Sequence, residues 1–246
     1  MTRAWYLGHA PEDVADRAIL VGDPERVDRI AGLLDAPTFL PVKRGLKTVT
    51  GLFRGSPVTV AAFGMGAPIA TIVLHELAAL GTASFIRIGT AMYFPPGVAA
   101  DLLISASALS FEGTSQAYRQ TETEPVADQD LIDALNGAAR AAGAEPRVGR
   151  FATFDAFYRD MFGIDPSGHA QAAKTRDMLI ARGVLASDME TSALLTAAQA
   201  LGVSAATLCL GTVDGITQDK LSAAPLDAAE VQMFGIALAA ITESAA

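Results

Sequence analysis

Residues 84–90, Ser-Phe-Ile-Arg-Ile-Gly-Thr, place an arginine in the middle of a short, β-branched and aromatic run that a glycine closes. Such a run reads as a buried β-strand. A guanidinium buried without a partner costs several kcal/mol even after relaxation, so Arg87 requires an anion beside it. A protein carboxylate would serve, and so would a ligand, because the planar fork of arginine suits phosphate as well as carboxylate. Gly89 and Thr90 fall at the carboxyl end of the strand, where open α/β sheets hold their ligands.

The residues before this strand narrow the fold. Residues 52–63 read as a strand, Gly64-Met65-Gly66 as a turn, and 68–80 as a packed helix that Gly81 ends. With the strand at 84–89 this makes a βαβ crossover, which predicts parallel strands and a right-handed connection. A similar unit opens the chain: an apolar run at 18–21, then Gly22-Asp23-Pro24-Glu25-Arg26, then apolar residues 27, 30, 33 and 34 at helical spacing. Asp23 suits a helix cap and Pro24 the first helical position, and free amides there can receive an anion.

The same reading gives a strand over 39–51, joined to the next by a turn at 54–57, and further strands at 100–109, 147–153, 184–186 and 204–213. Helices are expected over 129–142, 170–182, from 188–190 to 201, and 226–244, with a long polar loop at 111–127 and irregular chain at 154–168. Alternating strands and helices predict a three-layer α/β/α fold around a central mixed, largely parallel sheet. Nothing marks a domain boundary, so residues 1–246 are expected to form one domain.

Composition excludes several functions. A net charge of −9 with no basic run argues against nucleic-acid or anionic-membrane surfaces. The most apolar stretch, 58–81, is broken by Gly64, Gly66, Pro68 and His75-Glu76, so no membrane span is expected. One cysteine, Cys209, excludes an internal disulfide and a cysteine-based zinc site. The three histidines are scattered, and Ala79 stands where a zinc-binding helix would need its second histidine. The first 17 residues lack the apolar core of a signal peptide, so a cytoplasmic location is expected.

What remains is a set of residues at strand ends: Gly22 with Arg26, Gly64-Met65-Gly66, Arg87 with Thr90, Asp188-Met189-Glu190, and Asp214. Two arginines, a hydroxyl and free amides suit phosphate. A carboxylate at a helix start can accept from a vicinal diol, and a second carboxylate can act as an acid. Together they describe phosphorolysis of a glycosidic bond.

In these motifs, and in Lys-Arg-Gly (43–45), Phe-Asp-Ala-Phe-Tyr (154–158) and Val-Asp (213–214), the chain resembles the nucleoside phosphorylase family of hexameric purine nucleoside phosphorylases and uridine phosphorylases. The resemblance covers nearly the whole length. Gly-Asp-Pro-x-Arg sets the chain apart from the related nucleosidases, which use water. The resemblance implies that Gly22, Arg26, Arg87 and Thr90 bind phosphate, joined by Arg44 of a neighbouring subunit in a dimer, three of which build a hexamer. It implies that Met189 and Glu190 hold the ribose hydroxyls and that Tyr6 stands where the family has a histidine reaching the partner's ribose, with His9 a turn away. Phe157, Met92 and Asp188 fall at the base, and Asp214 at the acid that protonates a purine nitrogen.

Phosphate is then the co-substrate, and no metal or organic cofactor is implied. The implied partners are a nucleoside, phosphate and further copies of the chain. The pattern departs from the family at the base end. Met161 and Gly163 replace the Gln-x-Arg pair with which uridine phosphorylases read uracil, Thr217 replaces an arginine that assists the aspartate, and Met92 follows Thr90 where small residues are usual. Because Asp214 is present and the uracil reader absent, purines are expected over pyrimidines. A uridine phosphorylase-like enzyme for uridine or an unusual nucleoside, and a non-catalytic binder on the same fold, are the alternatives.

Overall fold

The computed structural model describes residues 2–119 and 123–243. Residues 120–122 of the expected loop and Ser244 of the expected last helix lie outside them. Strand β1 (Arg17–Val21) feeds helix α1 (Pro24–Ala31). The Asp23 carboxylate caps that helix by accepting from Glu25 N at 2.9 Å, and Pro24 occupies its first turn.

Strands β2 (Asp35–Phe39), β3 (Thr48–Phe53) and β4 (Ser56–Ala62) form an antiparallel meander. Its second turn is the pair Arg54-Gly55, both at positive φ, which suits the right-handed twist of a hairpin. The continuous strand expected over 39–51 is interrupted, because residues 40–47 leave the sheet. Pro41 has no N–H for a ladder, and Arg44 and Gly45 adopt φ of 53° and 78° in a tight turn closed by Leu46 N donating to Lys43 O.

Helix α2 (Ala67–Leu80) ends on Gly81 at φ 113°. Strand β5 (Ser84–Tyr93) continues past the expected end at Gly89, since Met92 and Tyr93 find ladder partners on two sides. After β6 (Leu102–Phe111) the expected loop contains a single helical turn, α3 (Ser115–Tyr118), where Glu112 accepts from Ser115 N. Then follow α4 (Gln129–Ala141), β7 (Arg147–Phe154), a π-helical turn (Tyr158–Phe162), α5 (Pro166–Ala181), β8 (Val184–Asp188), α6 (Thr191–Leu201), β9 (Ser204–Asp214) and α7 (Ala223–Glu243).

The nine strands are ordered β2-β3-β4-β1-β5-β8-β7-β6-β9, and β9 pairs back onto β5. Strands β5, β8, β7, β6 and β9 thus close into a ring, while β1 to β4 extend from β5 as an open wing. The pairs β1/β4, β1/β5, β5/β9, β6/β7 and β7/β8 are parallel and the other four antiparallel, so the sheet is mixed. Helices α4 and α7 pack together against the sheet, and α6, flanked by α2 and α3, packs on β6, β7 and β9. Helix α7 is long and apolar enough to cross a membrane by length and composition, but here its Met233, Phe234, Ile236 and Ile241 belong to the core.

Asp23→Ala is expected to lower stability by about 1 kcal/mol, the usual worth of such a cap. Urea unfolding should show an earlier midpoint with an unchanged slope.

Candidate active site

Four parallel strands bring their carboxyl ends to one edge. Val21 of β1 is level with Ala62 of β4 and Ile88 of β5, and Thr90 is level with Leu210 of β9. The turns beyond them touch: Gly64 N donates to Gly22 O at 3.0 Å, and a Cβ on Gly22 would lie 2.8 Å from Gly64 O. Only glycine fits there. Gly64 and Gly66 both take positive φ, and the Gly66 amide at the start of α2 is aimed across the edge.

Its target is Glu190. One Glu190 oxygen accepts from Gly66 N at 2.7 Å, and the other receives Arg87 Nη2 at 2.5 Å. Arg87 Nη1 lies 3.0 Å from an Asp188 oxygen and 2.7 Å from Cys209 Sγ. The guanidinium is 6% exposed, and its Nε has no acceptor among the described residues. Burial opposes the charge of Arg87, but Cys209, Glu190 and Asp188 outweigh it and hold the guanidinium firmly protonated. Burial pushes the Glu190 carboxyl up, Arg87 pulls it back, and the nearby Asp188 leaves it above the usual carboxylate range.

Asp188 has a different surrounding from the one expected of a base-binding residue. Its oxygens accept from Thr153 Oγ1 at 2.8 Å and from Thr191 Oγ1 at 2.5 Å, and from the Thr191 amide. With Arg87 beside it, its side chain is spent on the scaffold where β8 passes into α6. Met189 between the two carboxylates is half-buried, as Thr90 is.

The other expected cations are engaged or exposed. Arg26 Nε and Nη2 both donate to one oxygen of Glu230 on α7, at 3.0 and 2.6 Å, and Arg29 takes the other oxygen. Arg26 nevertheless lies near enough to Cys209 for its charge to act on that thiol. Arg44 is exposed, with its guanidinium 5.0 Å over the Tyr6 ring. The Tyr6 and Leu7 amides both donate to Glu76, which fixes the chain at Tyr6. His9 does not share that exposure: it is buried, its Nε2 has no partner among the described residues, and burial lowers its pKa.

At the base end, the Phe157 ring meets Tyr158 and Phe162 edge-on at 5.3 Å. Met92 and Met161 do not open into a pocket. Both are 1% exposed and pack with Phe94, Leu109, Phe154 and Leu179 in a second, smaller core. Burial raises the Asp214 carboxyl, but the amides of Thr217 and Ile216 and the Tyr93 hydroxyl outweigh it and leave it below the usual range. A carboxyl so held is ionised at neutral pH.

Cys209 and Glu230 are absent from the sequence-based set, and Gly66, which is in it, had no partner assigned. The position of Cys209 on the strand paired to Arg87's strand offered a signal only once that pairing was known. Glu230 lies 204 positions from Arg26, so nothing local in the sequence pairs the two.

The comparisons agree with this geometry. The profile of the phosphorylase superfamily matches residues 16–243. A uridine phosphorylase of Thermococcus kodakarensis is 34% identical over 230 residues, covering 92% of this chain and 83% of the relative. A guanosine phosphorylase of Halorubrum lacusprofundi is 33% identical over 205 residues, 82% of this chain and 79% of the relative. The crystal structure of a Toxoplasma gondii purine nucleoside phosphorylase with immucillin-H superposes with a TM-score of 0.88 at 26% identity, covering 98% and 96% of the two chains. The chain belongs to the phosphorylase superfamily. It is an enzyme of the pentosyltransferase type, on the nucleoside phosphorylase fold. Within that superfamily fold, Arg87, Asp188 and Glu190 form the most deeply buried ionic cluster at the carboxyl edge.

Arg87→Met should destabilise the protein by about 3–5 kcal/mol, because it leaves two buried carboxylates without their cation. The loss should grow as pH rises from 5 to 8. A Glu190 whose folded pKa is raised binds a proton in the folded state that the unfolded chain has released, so stability falls with pH. Adding Glu190→Gln should recover part of the loss and flatten that dependence in urea titrations.

Proposed function

We propose that the protein catalyses reversible phosphorolysis of the N-glycosidic bond of a nucleoside, giving the free base and an α-pentose 1-phosphate. The observation that carries this reading is the direct contact of Arg87 with Glu190 at the strand edge, where Gly66 also donates to Glu190 and the Gly64 turn meets Gly22. It puts the strongest cation beside the carboxylate suited to a diol. Phosphate is read as lying among Gly22, Arg26, Arg87 and Thr90, with Arg44 from a second copy. Arg87 Nε, buried and unpaired among the described residues, is a donor that a phosphate oxygen would satisfy.

Glu190 and the Met189 backbone are read as the pentose site. An ionised carboxylate has about four lone-pair directions, so contacts to Gly66 and Arg87 leave room for sugar hydroxyls. In the reaction the C1′–N bond breaks with its electron pair leaving on the base, positive charge builds on C1′ and the ring oxygen, a phosphate oxygen forms the new bond from the opposite face, and the base takes up through solvent the proton that hydrogen phosphate gives up on becoming the ester. Glu190 and phosphate flank that charge, which is electrostatic stabilisation placed where charge develops. Phosphate is the co-substrate, and the reading requires no metal or organic cofactor.

The sequence-based preference for purines rested on Asp214 as an acid and on the absence of the uracil-reading pair, and it is the first of these that the electrostatics address. The lowered pKa of Asp214 weakens that ground, since the free enzyme holds it as a carboxylate. The named relatives include both uridine and guanosine phosphorylases.

The test is release of base from inosine, guanosine, adenosine, uridine and cytidine with and without phosphate. Cleavage should occur only with phosphate and yield a pentose 1-phosphate; no cleavage of any of them would end the reading. Separately, Asp214→Asn should scale the kcat/KM profile between pH 5 and 8 by a constant factor without changing its shape, because kcat/KM reports the free enzyme's ionisations. A pKa that vanishes from the profile in this variant would show that Asp214 titrates in that range.

A further inference from the structure

Two side-chain donors that no family motif supplies meet at the base end. Arg176 Nη1, from α5, and Gln218 Nε2, from the turn after β9, both donate to the backbone carbonyl of Met161, Gln218 at 3.2 Å. The Gln218 turn is built on Asp214, whose carbonyl accepts from Gln218 N at 2.9 Å. Met161 lies in the π-helical turn between Phe157 and Phe162, and its side chain shares a small core with Met92, Phe157 and Val213. Arg176, Gln218, Asp214 and Phe157 are therefore tied to one short piece of chain. Both donors are half-buried, and the other guanidinium N–H groups of Arg176 have no partner among the described residues.

The packing also explains why the donors come from elsewhere. Gly163 has φ 82°, and a Cβ there would lie 2.4 Å from Gly168 C and His169 N, at the start of α5. A long side chain at 163 cannot coexist with that helix position. Met161 is committed to the core. The same close approach of α5 that excludes a reader at 163 carries Arg176, further along the helix, onto the Met161 carbonyl.

We infer that Arg176 and Gln218 are the base-reading residues of this enzyme, and that they select nucleosides whose base presents a carbonyl oxygen at this edge. This rests on the phosphorylase reading above. A guanidinium has N–H donors and no acceptor, so it pairs with a carbonyl and not with an exocyclic amino group. The Met161 carbonyl shows the geometry: one oxygen already accepts from both side chains. A 4-oxopyrimidine or 6-oxopurine offers the same acceptor. A 4-aminopyrimidine or 6-aminopurine would face the guanidinium with N–H against N–H and leave the donor unpaired.

The experiment compares kcat/KM for uridine with cytidine, and inosine with adenosine, in the unaltered protein, Arg176→Met and Gln218→Met, each with its thermal melting recorded. The unaltered protein should prefer the oxo member of a pair. In Arg176→Met the oxo substrates should lose about 10- to 100-fold, the range for a hydrogen bond to a charged group, while the amino substrates and the KM for phosphate stay within about twofold. Gln218→Met, on an exposed turn, should show a smaller loss with the same selectivity. Equal losses for oxo and amino substrates would mean that the pair only clamps the loop, and would overturn the inference. So would a preference for the amino substrates, or unchanged selectivity in both variants that melt normally. If the unaltered protein cleaves no nucleoside with phosphate, the phosphorylase reading itself fails.

Discussion

The structure depends on the way one buried cation is shared. Arg87 enters from the middle of β5 and meets Asp188 and Glu190 from the β8–α6 junction and Cys209 from β9. These are the strands that flank β5 in the closed ring, so the cluster joins the ring where β5 turns from one partner to the next. Its carboxylates are fixed in turn by Thr153, Thr191 and Gly66. Burial pushes the Cys209 thiol up to about 12, so at neutral pH it is a neutral acceptor and no thiolate. Such a cluster contributes little net stability compared with apolar packing, but any single loss from it leaves a buried charge, and that asymmetry fixes the geometry of the edge.

Charge balance refines the picture of a phosphate cradle. Read from sequence, Arg26 and Arg87 are two arginines suited to phosphate, with the anionic partner of Arg87 open between a protein carboxylate and a ligand. Folded, Arg87 faces two carboxylates, whereas Arg26 and Arg29 together face only Glu230. The Arg87 cluster is thus short of positive charge and the α1 cluster has an excess. In the proposed function a phosphate dianion would draw on the α1 cluster for its attraction and on Arg87 for its geometry. An anion near Glu190 opposes its ionisation, as burial already does, and the hydrogen bonds from Arg87 and Gly66 work against that shift.

Much of the fold was legible because it is local. The cap at Asp23, the end of α2 at Gly81, and the alternation of strands with helices follow from residues a few positions apart. The pairing of β9 with β5 and the closure of the ring are not local, and no periodicity encodes which of several apolar strands lie side by side. The partner of Arg26 stands 204 positions away on α7. Strand and helix residues carry pattern; the partner of a buried charge is set by topology. The break at residues 40–47 was readable in principle, since Pro41 and Gly45 were there, but the alternating residues around them favoured a strand.

The base end shows how a departure from family pattern can be structural and not a loss. Met161 and Gly163 read as deletions of function when compared position by position. In the folded chain Met161 fills a core and Gly163 admits the start of α5 to within contact distance. Both residues suit the packing of this loop, Met161 as core and Gly163 as the point where α5 comes into contact. The same packing sets Arg176 of α5 and Gln218 of the turn after β9 on the Met161 carbonyl, and these are the donors proposed above to read the base. A motif can vanish from the sequence and its function persist, because recognition requires donors at a point in space and not at a position in the chain.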